Sequence, residues 1–141
     1  MVYFADLSPC TEVCDANPGI VAVGWLESGH PVPFGSTPLS FYHKLVDLLR
    51  HPWLPPFASA GTHQCLLCQF DGSLGTGYLF VPAGDVIYVA PQLIIHYVAA
   101  HHYRPPHHFQ SAVLSCPDQS SMAFKRLLLA AGGKSLISRS G

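Results

Sequence analysis

Four residues in one order constrain this chain most: a C-x-x-C pair, Cys65 and Cys68, followed downstream by an H-x-x-x-x-H pair, His96 and His101. Zinc takes four soft or borderline donors in a tetrahedron, and thiolate sulfur with imidazole nitrogen is its ordinary set. Two cysteines at this spacing share a tight turn that aims both sulfurs at one cation. The two histidines fall within the spacing that zinc sites use. These four are the candidate zinc ligands, and a chain that uses them must fold segment 65–68 back onto segment 96–101.

What lies between them reads as a hairpin and a helix. Tyr78-Leu79-Phe80-Val81 and Val86-Ile87-Tyr88-Val89 are rich in β-formers, and Pro82-Ala83-Gly84-Asp85 separates them as a four-residue loop. The hairpin accounts for the long gap between Cys68 and His96. Pro91 then opens a helix from Gln92 to His102, ending near Tyr103, because Arg104 precedes Pro105 and is pushed out of the α region. One tension remains. On an ideal helix, positions five apart diverge by roughly 140°, so His101 has to sit where the helix loosens before Pro105-Pro106. His102, or His63 upstream, is the substitute ligand.

The remaining elements give an α+β fold with flanking helices. Ile20 to Leu26 is a buried strand, followed by a rigid Gly/Pro loop from Ser28 to Gly35. Thr37 and Pro38 start a helix that Pro52 stops, with Leu39, Tyr42, Leu45, Val46 and Leu49 on one apolar face. Gly72 to Gly77 reads as a turn. A short helix is expected from His108 to Leu114, and another from Met122 to Ala131 that ends at Gly132-Gly133. Residues 1–133 are expected to form a single domain and 134–141 a flexible tail.

Histidine and cysteine stand out because ordinary charge is scarce. Lys and Arg total 7, Asp and Glu total 8, and the formal net charge is −1 over 141 residues, beside 9 His and 5 Cys. Charged residues make up 11%, against roughly 25% on average, which excludes a highly charged disordered chain. So few cations cannot build a basic face, which argues against nucleic acid and against an anionic membrane surface. No run approaches the ~18 apolar residues of a membrane helix, and MVYFADLSPC lacks the basic start of a secretory signal. The expected location is the cytoplasm, where cysteines stay reduced, and five is an odd number for a disulfide framework. A mean hydropathy of +0.28 points to an apolar surface used for a partner.

Other chemistry is thin. No P-loop, G-x-S-x-G or G-x-G-x-x-G is present. The deaminase pattern fails, since no H-x-E precedes a P-C-x-x-C. Cys10 and Cys14 read as two unrelated thiols, and Cys116 has no visible partner. His43 and His51 face water, and His107-His108 is a solvated helix start. The acids Asp6, Asp47, Asp71, Asp85 and Asp118 make no visible pair. Glu27 with His30 is the one acid–base couple worth following.

Several separate blocks follow one pattern: Tyr3-Phe4-Ala5-Asp6-Leu7-Ser8-Pro9, Val23-Gly24-Trp25-Leu26 with Gly29-His30-Pro31, His63-Gln64-Cys65-Leu66-Leu67-Cys68, and Ala90-Pro91 through His96-Tyr97-Val98 and His101 to Tyr103-Arg104-Pro105-Pro106. They resemble a family of short bacterial proteins defined only as a domain of unknown function, over roughly Tyr3 to Leu114. The resemblance implies a bacterial cytosolic protein and places the cysteine and histidine blocks inside the shared pattern. It implies no activity. Family members carry aromatic residues near positions 10 and 14, so Cys10 and Cys14 fall outside a shared metal site. Small bacterial domains of this kind are similar to immunity or accessory factors.

The expected function is therefore a zinc-stabilised module that binds a protein partner, with Trp53, Phe57 and Phe34 as candidate anchors. The alternative is a metal-dependent hydrolase or nuclease, in which three of His63, Cys65, Cys68, His96 and His101 bind zinc, water fills the fourth place, and His30 or Glu27 is the general base.

Overall fold

The computed structural model describes residues 3–10, 19–27, 29–53, 63–65, 67, 74–75 and 77–137. It is a small α+β domain. Its elements are β1 (Ile20–Ala22), α1 (Leu39–Arg50), β2 (His63–Gln64), β3 (Leu74–Gly75), β4 (Tyr78–Ala83), β5 (Val86–Pro91), α2 (Ile94–Ala100), α3 (His107–Ser115) and α4 (Met122–Ala130), then a 3₁₀ turn, Lys134–Leu136.

The main sheet has the order β1-β5-β4, with β1 parallel to β5 and β4 antiparallel to it. Its hairpin is tighter than the sequence implies: Pro82 and Ala83 extend β4, leaving Gly84 and Asp85 to turn, with Gly84 at φ +65°. Proline is tolerated there because β4 is an edge strand. Its carbonyl at Phe80 accepts instead from the buried amide of Gln119, at 2.9 Å. Beyond β1, the segment 7–10 runs alongside through Leu7 N–H to Ala22 O and Cys10 N–H to Ile20 O.

Both hairpin strands are buried along nearly their whole length, as expected of a sheet covered on both faces. α3 and α4 pack on β4, while α1 meets α2 and α3. Trp25 is fully buried and its indole N–H donates to Val89 O at 2.9 Å.

Several expectations are corrected. The strand expected over 20–26 ends at Ala22, because Gly24 takes φ +78°. Pro91 closes β5 rather than opening a helix, and α2 is shorter at both ends than the expected 92–102. α1 buries Phe41, Leu45, Leu48 and Leu49, whereas Leu39 is 72% exposed. The apolar face is thus rotated from the expected one, since Phe41 and Leu48 meet the core. Leu74 and Gly75, read as part of a turn, pair with β2 as a separate two-stranded ladder. Leu136, inside the stretch read as a tail, is fully buried, and Trp53 donates its indole N–H to Leu136 O at 2.9 Å. Phe57 lies outside the described residues.

Candidate metal centre

The hairpin sets up the site. β5 delivers the chain to α2, which carries His96 on its first turn, and β2 delivers Cys65 one residue past its end. The difficulty of two histidines five apart is resolved by the helix stopping early. α2 ends at Ala100, and His101 leaves helical geometry at φ −114°, ψ 8°. His102 then adopts φ +52°, a left-handed conformation uncommon for a residue with a side chain. Both His101 N–H and Tyr103 N–H return to Tyr97 O, each at 3.1 Å. This turn brings the His101 ring back beside His96, with ring centroids 4.9 Å apart and planes at 78°.

Three donors converge there. His101 Nε2 lies 3.2 Å from His96 Nε2 and 3.4 Å from Cys65 Sγ, and all three donor atoms fall within 4.8 Å of one another. Zinc bonds of about 2.0–2.1 Å to nitrogen and about 2.3 Å to sulfur, at tetrahedral angles, separate nitrogen pairs by roughly 3.4 Å and sulfur–nitrogen pairs by roughly 3.6 Å. The two shortest separations sit close to those values. The donor set fits a cation of zinc type, and the group could hold a metal ion.

The surroundings favour that chemistry. Cys65 is buried, and its sulfur accepts from Leu67 N–H at 3.4 Å, a contact that stabilises thiolate. Desolvation, then the neighbouring His96 and His102, hold the His101 imidazole below its usual pKa. A neutral ring keeps a lone pair for a cation.

The other sequence candidates separate cleanly. Cys68 and Cys14 lie outside the described residues, as does the side chain of His63. His102 does not join the cluster: it lines a groove of about 370 Å³ with Ser36, Thr37, Leu39, Tyr42 and Val98. Cys10 is buried beside β1, and burial pushes the Cys116 thiol up to about 11, so it stays protonated at neutral pH. His43, His51, His107 and His108 are exposed, as expected. Glu27 and His30 make a half-exposed 3.9 Å pair, with the His30 ring stacked on Tyr3 at 3.8 Å.

Sequence reasoning missed a second polar junction. Asp6, taken as an isolated acid, accepts from Gly24 N–H at 3.0 Å through Oδ1 and from Tyr103 O–H at 2.7 Å through Oδ2. The signal was present in a weaker form, since the three residues fall in three of the blocks that make up the family-like pattern.

The family model described as "Domain of unknown function (DUF7919)" matches residues 2–114. The chain belongs to this family. The matched region contains Asp6, Gly24, Tyr103 and the whole Cys–His–His cluster, and stops within α3, before α4. Among curated proteins and among solved structures, none matches the chain significantly. No helix among the described residues is long and apolar enough to cross a membrane.

Proposed function

We propose that Cys65, Cys68, His96 and His101 hold one structural zinc that pins the loop after β2 to the end of α2. The observation that carries this reading is the convergence of Cys65 Sγ, His101 Nε2 and His96 Nε2. Cys68, three residues from Cys65, supplies the fourth donor by its spacing. Four protein ligands leave no place for a reactive water, which favours a structural role over a hydrolytic one.

The module, a single domain, then serves as a protein-binding factor of accessory or immunity type in the bacterial cytoplasm. Low charge supports this, as do two residues that are each 72% exposed: Leu39, which lines the groove beside α1 and α2, and Phe34.

Elemental analysis of the purified full chain tests the site, together with thermal melts before and after a strong chelator. About one zinc per chain and a lower melting temperature after chelation are expected, because metal binding contributes directly to folding. Metal-free protein with an unchanged melt overturns the reading. A hydrolytic activity lost on zinc removal, with the fold retained, would transfer the site to the hydrolase alternative.

A further inference from the structure

A second, smaller hollow of about 80 Å³ lies at the N-terminal side of the domain, lined by Tyr3, Phe4, Asp6, Leu26, Pro31 and Pro33. That is several times the roughly 10–15 Å³ that one water needs, so a small organic group fits. Asp6 is the one charged residue among the described residues that line it. Its carboxylate is held in place by Gly24 N–H and Tyr103 O–H. Each carboxylate oxygen carries a second lone pair, so the group can still accept from a ligand. The ion pairs among the described residues are His30–Glu27 and Arg50–Asp47, and neither involves Asp6.

Among the described residues, the hollow thus presents a fixed anion with no paired cation, lined by two aromatic residues, a leucine and two prolines. Tyr3 is itself positioned by stacking on His30, with planes 6° apart. Aromatic faces attract cations through the ring quadrupole, and the attraction strengthens when the cation is desolvated. A carboxylate repels anions. The apolar walls favour alkylated ammonium over a strongly hydrated bare one.

We infer that this hollow binds a small alkylammonium group, with Asp6 as counter-ion and Tyr3 and Phe4 as aromatic walls. The inference does not rest on the zinc reading, since none of the three cluster residues lines the hollow. The group could come from a free small molecule or from a methylated lysine side chain.

The full chain is titrated with tetramethylammonium chloride, against sodium chloride at equal ionic strength and against tert-butanol as an uncharged mimic. Backbone amide shifts of Phe4, Asp6 and Leu26 provide the readout. Saturable shifts confined to this hollow are expected, weakened about tenfold by Asp6→Asn and by Tyr3→Leu. Tyr3→Leu leaves the Asp6 junction intact, so it decides the matter if Asp6→Asn does not fold. Shifts no larger than with sodium chloride, equal binding of tert-butanol, or native affinity in the folded variants overturns the inference. A peptide carrying trimethyllysine separates the sources. Binding at least about tenfold tighter than the free cation assigns the ligand to a protein side chain, and equal or weaker binding to a small molecule.

Discussion

The Cys65–His101–His96 cluster and the Asp6–Tyr103–Gly24 junction tie the same turn after α2 to two different parts of the chain, yet they are built on opposite principles. In the junction every contact has its proton: an amide and a hydroxyl donate to a carboxylate that can only accept. In the cluster two imidazole nitrogens and a sulfur converge within 4.8 Å, three atoms that each offer a lone pair. Donor–acceptor complementarity completes the first from within the chain. On the proposed reading, a cation completes the second. Two anchors a few residues apart should therefore respond differently to chelation, to pH and to substitution.

The largest effect is expected at the cluster. Cys65→Ser and His96→Ala should each release the metal and lower the melting temperature by roughly 10 °C or more, as the loss of several kcal/mol implies. Elemental analysis beside the melt checks this, and chelation of the native chain should reproduce it. A variant that keeps its metal and its melting temperature would make the two anchors alike.

A smaller effect is expected at Gly24, where the junction meets the helix that carries His96. Its φ of +78° disfavours any side chain, and an added Cβ would lie 3.1 Å from the side chain of Ile94, the first residue of α2. Gly24→Ala should cost about 1–3 kcal/mol while leaving metal content unchanged. Denaturant midpoints measure the first part, and elemental analysis the second. Metal loss in this variant would show that the two anchors act as one unit.

The smallest effect belongs to the hydroxyl of Tyr103. Tyr103→Phe removes one donor from Asp6 and should cost about 1 kcal/mol. The junction also carries a pH signature. Burial raises the Asp6 carboxyl above its ordinary 3.8, outweighing the lowering by Gly24 N–H and Tyr103 O–H. A carboxyl raised in the folded state contributes stability that is full below 3.8 and is lost as pH rises through the raised value. The native chain should therefore lose ground to Asp6→Asn as pH climbs through that window. Comparing the midpoints of the two proteins at acid and neutral pH tests it, and a constant difference would exclude Asp6 as the titrating group.

Much of this was legible in the residues. The hairpin, α1, α3 and α4 follow from local signals: β-branched and aromatic runs, a proline stop at Pro52, and Gly132 at φ +91° past the last helix. Of the four proposed ligands, Cys65, His96 and His101 lie together, although five-residue spacing on a regular helix would have separated the two histidines. The boundaries around α2 were not legible, because Pro91 suits a helix start and a strand end equally, and pairing with Tyr78 decided for the strand. Nor was the burying face of α1, since both candidate stripes are apolar and only the approach of α3, through Phe109 against Phe41, selects one.

The amino-acid sequence by itself determined the donor chemistry, the scarcity of charge, and the order of hairpin and helix, because residue type and local backbone preference are properties of short segments. Tertiary structure alone decided that Asp6 would find Tyr103, 97 residues away. It also decided that His101 would turn back onto His96 through a left-handed His102. Both outcomes depend on where long-range packing places chain segments, and a strained φ persists only when the surrounding contacts hold it.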